Sequence, residues 1–282
     1  MYLGTIFLKQ LSSLHKIPVS VFYIFLSLSA SGGDTYRQSA GAGEAGMGYV
    51  CIMKNGFWSS FHNQASLAYN NSFSIGLNYE NRFSIRELGT RSIGLTIPVG
   101  KASLGVVYSH FGYIDFKRHM TGLACGIKLS EKISAGVQID YFSERPSGEY
   151  GNNQSVTCET GLFVTPSENI RIGVHLFNPI PNSIRKTYLP TILRVGAGTD
   201  LNKILFAGVE VEMSSGSKLI IKTGFEYEAA KNLWIRSGFS TNNNSFSFGL
   251  GFLAKIAQIN FGFTTHDKLG VTSSVSLVFK IH

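Results

Sequence analysis

From Ser72 almost to the C-terminal His282, apolar residues alternate with small or polar ones at every second position. In the stretch Ser72 to Glu80, Phe73, Ile75, Leu77 and Tyr79 fall on one side, and Ser74, Gly76, Asn78 and Glu80 on the other. Only a β-strand keeps such sets apart, because its successive side chains point to opposite faces. The pattern recurs in RSIGLTIPV, MTGLACGIKL, KISAGVQIDYF, ILFAGVEVE, SFSFGLGFL and VTSSVSLVFKI. It predicts an all-β chain of about 14 strands, each roughly nine to twelve residues, the length that a tilted strand needs to cross a bilayer.

A soluble sandwich also alternates, so the connections have to decide. Short ones (VGK, SEK, TPSEN, DLNK, EAAKN, LAK) take turns with others that are mostly longer (NRFSIRELGT, GYIDFKR, SERPSGEYGNN, NPIPNSIRKTYLP, SSGS, TNNN, HDKLG). A sandwich has no reason to sort its loops this way, whereas an outer-membrane barrel has short turns on one side and longer loops on the other. Composition agrees: charged residues are 15% of the chain, aromatics 12%, and there are 31 glycines. Those values suit a wall with an apolar outer face, and past the N-terminus no run of about twenty apolar residues offers a spanning helix. The expected fold is a transmembrane antiparallel β-barrel over residues 71–282. Phe73, Ile75, Leu77, Tyr79, Cys125, Cys158, Leu250 and Phe252 are expected to face lipid.

The other face carries glycine in nearly every strand, for example Gly76, Gly136, Gly173, Gly238 and Gly262. Glycine inside a strand weakens it and marks close approach by another piece of chain. Charges of both signs share that face, and Arg171, Arg194, Glu210, Glu212, Lys222, Glu226 and Arg236 read as a cross-strand ladder inside the lumen. A structural ladder explains mixed signs on neighbouring strands better than an ion-selective ring does.

The first 70 residues do not alternate. Lys9, His15 and Lys16 precede the apolar run VSVFYIFLSLSA and then small residues, which predicts a signal peptide over 1–32. Residues 33–70 contain SAGAGEAG, a literal G-x-G-x-x-G, yet no apolar run leads into it and no acid stands about twenty positions on. It is therefore not expected to bind a dinucleotide. Glycines 41, 43, 46 and 48 are instead expected to let a plug thread close to the barrel wall. The cluster Trp58 to Asn63 holds a serine and a histidine but no neighbouring carboxylate, since Glu44 and Glu80 are the nearest acids. No catalytic group is expected. Cys51, Cys125 and Cys158 match neither a disulfide framework nor a metal spacing, so no metal or cofactor is expected. The net charge of +8 includes no dense basic run, which argues against a nucleic-acid partner.

GAGEAGMGYV, followed by FWSSFHNQASLAY and then alternating strands, resembles the FadL-like outer-membrane barrels, with the PorV/PorQ-like proteins of Bacteroidetes as the nearest branch. The specific pieces are Gly46-Met47-Gly48 and Asn63 to Ala68, with Gln64 where the family usually has proline. The resemblance implies an N-terminal hatch inside the barrel and a bacterial outer-membrane location. It implies one of two functions: inward passage of hydrophobic small molecules through the hatch and a lateral wall opening, or service to type IX secretion with a secreted protein as partner. Under transport, the hatch aromatics Phe57, Trp58 and Phe61 are expected to meet inward Phe111 and Phe142 around a mostly apolar pocket, with His62 and Asn63 orienting the ligand.

Overall fold

The computed structural model describes residues 39–146, 152–180, 182–184, 187–215 and 217–281. The expected signal peptide lies outside them. The strands are β1 (Phe73–Asn81), β2 (Gly89–Val99), β3 (Ala102–Gly112), β4 (Phe116–Lys128), β5 (Ile133–Pro146), β6 (Asn153–Ser167), β7 (Ile170–Phe177), β8 (Ser183–Ile184), β9 (Thr187–Tyr188), β10 (Ile192–Asn202), β11 (Leu205–Ser214), β12 (Ile220–Ala230), β13 (Leu233–Ser240), β14 (Ser245–Ala254), β15 (Ala257–His266) and β16 (Gly270–Ile281). All but β8 and β9, which pair with each other, close into a 14-stranded antiparallel barrel sealed by β1 on β16. Closure removes the free edges that an open sheet of this length would expose.

The period-two pattern sets the register. Leu77 is 49% exposed and points outward, whereas neighbouring Asn78 is 5% exposed and points in. Phe73, Ile75, Leu250 and Phe252 are exposed on the outer wall, and Tyr79, Cys125 and Cys158 face the same way, half-buried among their neighbours. With Ile93, Val106, Leu123, Ile139, Val209, Phe225 and Phe261 they form a continuous apolar belt. A belt of that extent exceeds the exposed apolar patch that a water-soluble monomer tolerates. Short turns join β2 to β3, β12 to β13 and β14 to β15; in them Gly100 (φ 62°), Asn232 (φ 66°) and Lys255 (φ 52°) supply the left-handed backbone that reverses the chain. The three register shifts among the described residues, between Val164 and Ser167, Asp200 and Asn202, and Glu228 and Ala230, also lie at the short-turn end.

Residues 39–70 pack inside the barrel. They comprise helix α1 (Ala42–Gly46) and two 3₁₀ turns, Phe57–Phe61 and Gln64–Tyr69. The inward glycines make room for them. A Cβ added at Gly46 would stand 2.6 Å from Gly249 Cα, and one added at Gly224 would stand 2.8 Å from the Met47 carbonyl oxygen. The glycine pattern of SAGAGEAG is thus used for backbone contact with the wall, and Gly41, at φ 102°, starts a helix too short to cradle a phosphate.

Candidate functional site

The lumen is filled by two dissimilar halves of the N-terminal segment. Along residues 40–54, α1 lies against β13 to β16 and the chain then crosses to β10 to β12. Gly41 N–H donates to Asn78 Oδ1 (3.2 Å) and Ala42 N–H to Ser276 Oγ (3.2 Å). Charged groups hold the rest. Glu226 accepts from Lys54 Nζ (2.5 Å) and Arg236 Nε (2.6 Å), and Arg236 also donates to Asn260 Oδ1 (3.0 Å). Tyr49 donates its phenol to Glu80 (2.5 Å). Fully buried Arg194 pairs with fully buried Glu210 (2.5 Å), reaches Glu212 (3.7 Å), and donates to the carbonyls of Tyr49 (3.1 Å) and His62 (3.4 Å). Glu210 accepts in turn from Cys51 N–H (3.3 Å). Lys222 closes the row against Glu212 (2.6 Å), and Arg171 pairs with Asp200 near the short turns.

The ladder therefore has rungs on the plug as well as on the wall. Strand register places Arg194 opposite Glu212, Glu210 opposite Lys222 and Glu226 opposite Arg236, so each charge meets an opposite one across the sheet. Lys54 and Tyr49 enter the network from the plug, which the alternation of the wall could not reveal. Burial pushes the Cys51 thiol up to about 12, so it sits in the network as an inert neutral group.

Residues 55–70 are held differently. Phe57 and Trp58 meet edge to face with ring centroids 4.8 Å apart, and Trp58 and Phe61 follow at 5.8 Å. They share an apolar cluster with inward Phe142, Phe177, Met120 and Val107. Phe142 and Phe177 are themselves perpendicular at 6.4 Å. Phe111 does not join them. It faces inward but sits one residue from the end of β3, at the long-loop rim between Arg82, Arg118 and Phe116. Height along the strand, which alternation does not encode, separates it from Phe142.

The polar residues of this half are engaged in holding the segment. His62 Nε2 lies 2.7 Å from the Ala40 carbonyl oxygen, tying the two halves together. Asn63 donates to the carbonyls of Ile52 (2.7 Å) and Leu162 (3.0 Å) and accepts from Ala65 N–H (3.1 Å). Gln64 donates to Glu159 (2.6 Å), which also meets His175 Nε2 (2.8 Å). Asp140 is buried on the neighbouring strand and accepts from Gln138 (2.7 Å). Gln64 stands out in the sequence as the departure from the family's proline, and alternation turns Asp140 and Glu159 inward, but that they meet, with His175, is seen only in the fold.

Among the described residues, a chamber remains on each side of the plug. On the long-loop side about 430 Å³ is lined by Tyr49, Glu80, Arg82, Lys222, Ser247 and Thr264. On the short-turn side about 360 Å³ is lined by Phe57, Trp58 and Trp234 on one part and by Glu44, Arg171, Glu226 and Arg236 on another. The expected mostly apolar pocket is thus amphipathic, because the ladder shares its wall. Burial raises the Glu44 carboxyl above its ordinary range, with Arg236 and Lys54 acting against the rise. Trp58 Nε1 is buried and has no hydrogen-bond partner among the described residues.

Among the described residues, the wall has a notch beside β6. β7 ends at Phe177, paired with Glu159, so Asn153 to Cys158 of β6 have no β7 partner. The chain after β7 covers the place: Asn178 N–H donates to Cys158 O (2.9 Å), Thr157 donates to Asn178 Oδ1 (2.7 Å), and Ile184 and Leu189 turn into the lumen cluster.

A closed antiparallel barrel of fourteen strands, filled by its own N-terminal segment, is the class that this geometry defines. The sequence matches no protein-family model and no curated protein. The fold is shared with FadL-type hydrocarbon transporters of known structure. The toluene transporter TbuX of Ralstonia pickettii superposes with a TM-score of 0.70 at 12% identity, over 88% of this chain and 100% of that one. The Pseudomonas putida toluene transporter TodX gives 0.68 at 10%, over 87% and 99%. A FadL homologue of Pseudomonas aeruginosa gives 0.65 at 11%, over 87% and 99%.

Proposed function

We propose that the chain is a bacterial outer-membrane protein that passes hydrophobic small molecules, with residues 33–70 as the hatch and 1–32 as the secretion signal. One observation carries this reading: the lumen is divided by a non-covalently held segment that leaves a chamber on either side. A plug of this kind has a use where a solute must cross without opening a steady pore. The apolar belt on the outer wall supports the membrane location, and the likeness in fold to hydrocarbon transporters supports the substrate class. The amphipathic chamber, with Phe57 and Trp58 on one part and Glu44, Arg171, Glu226 and Arg236 on another, supports within that class a molecule with an apolar body and a polar end. The β6 notch is the candidate lateral exit, since an outer pocket of about 300 Å³ lies over it, lined by Ile139, Val156, Cys158 and Ile180.

The PorV/PorQ-like alternative, service to type IX secretion, calls for loops that reach outward to a protein. The connection between β7 and β10 instead buries Ile184 and Leu189, which favours transport. Native mass spectrometry after gentle detergent exchange tests the choice. The transport reading expects a retained amphiphile, released when Trp58→Ala and Phe61→Ala are combined. A barrel that holds no small molecule and co-purifies with an exported protein through its long loops would reverse the order.

A further inference from the structure

The outer wall has two unlike sides at the long-loop end. On β2 to β5, Arg91, His110 and His119 stand in one cross-strand row, Arg91 opposite His110 and His110 opposite His119. Lys117 and Arg145 face each other one step higher. All five point outward, in register with the lipid-facing residues below them. His110 and His119 are in contact, with ring centroids 4.7 Å apart, and Tyr108 Oη lies 2.7 Å from His119 Nδ1. Immediately beneath run the outward tyrosines 108 and 141, and beneath those Val106, Leu123 and Ile139. Near the long-loop ends of the strands on the far wall, the outward residues Ile221, Phe239, Phe246 and Val271 are apolar.

Among the described residues, no carboxylate shares the outward face of β2 to β5. Glu144 points inward and accepts from Arg118 (2.6 Å), while Asp115 and Glu87 lie in the loops above. Five basic or imidazole groups therefore face the surroundings without an internal counter-charge on their own surface. They stand directly above an aromatic row, the level where headgroups meet acyl chains in an outer-membrane wall. A merely solvated rim would mix signs and would not be confined to four adjacent strands.

We propose that this strip binds the phosphate groups of lipid headgroups in the leaflet on the long-loop side. Arg91, Lys117 and Arg145 supply the fixed charge, the Arg91 and Arg145 guanidinium groups are shaped for bidentate contact with phosphate oxygens, and the histidines add hydrogen-bond donors. The inference rests on the membrane location proposed above and is independent of what the lumen carries.

The test uses the refolded barrel in detergent and native mass spectrometry, with two probes: lipid A bearing both phosphates, and the same lipid enzymatically dephosphorylated. The wild type should retain the phosphorylated probe at least about tenfold better, and Arg91→Gln, Lys117→Gln and Arg145→Gln combined should abolish the preference, at roughly fivefold per cation removed. Lys203→Gln, Lys231→Gln and Lys255→Gln at the short turns should leave it intact. Equal retention of the two probes by the wild type, or an undiminished preference in the strip variant, would overturn the site. Failure of the wild type to insert into phosphatidylcholine vesicles is a separate result and would remove the membrane reading on which the site depends.

Discussion

The two halves of the plug meet the same barrel through different chemistry. Both halves touch glycine-lined wall at backbone distance, Met47 at Gly238 and Gln64 and Ala65 at Gly136, but residues 40–54 are in addition fixed by a charged network through Lys54, Tyr49 and Arg194. Residues 55–70 carry no charged side chain of their own and are fixed by aromatic packing and by amides, with Asn63 bonded to Ile52 and Leu162 and Gln64 to Glu159. The difference lies in what each half loses on moving. A charged network that opens in a low-dielectric lumen leaves unpaired ions, and so resists displacement unless water enters with it. An aromatic cluster can exchange its contacts for those of an apolar ligand at little cost. The aromatic turn 57–61 is accordingly the part expected to yield, and the 40–54 half the anchor.

Breaking the anchor should have the largest effect. Glu210→Leu leaves buried Arg194 without its closest partner, and uncompensated buried charge costs about 3–5 kcal/mol. The variant should show a lowered thermal midpoint in heat-modifiable gel mobility and a leaking lumen. Restoration by the paired change Arg194→Met would confirm that the loss is one of pairing. An outer-wall charge comes next, since Leu77→Arg places a cation toward lipid at about 2–4 kcal/mol near the midplane. It should impair assembly far more than Asn78→Arg, whose side chain enters the lumen; equal tolerance would contradict the register. The smallest effect is expected in the half that holds the yielding turn. Asn63→Ala removes the donor to Ile52 and Leu162 at about 1–3 kcal/mol, and should raise proteolysis of residues 55–70 in the folded barrel without blocking assembly.

How much of this was legible follows from what alternation encodes. It gives the face on which a residue lies, so Leu77 outward, Phe142 inward and the fourteen strands could be read directly. The sorting of loops gave the two ends. Alternation does not give height or partner. Phe111 has the right parity, yet it stops at the rim because β3 ends at Gly112, a boundary that the following loop GYIDFKR already signals. The pairing of Arg194 with Glu210 and the reach of Lys54 to Glu226 depend on barrel closure and on the plug's path, which no local pattern carries. The outward parity of Arg91, His110 and His119 is local and follows from counting back from the loops, whereas their meeting in one row depends on strand register.

The central claim is that residues 39–70 close the lumen, and single-channel recording in a planar bilayer addresses it most directly. The intact protein should show little steady conductance, and a barrel lacking residues 36–68, verified as folded by heat-modifiable mobility, should show stable open channels. Unchanged conductance in the folded deletion would contradict the account.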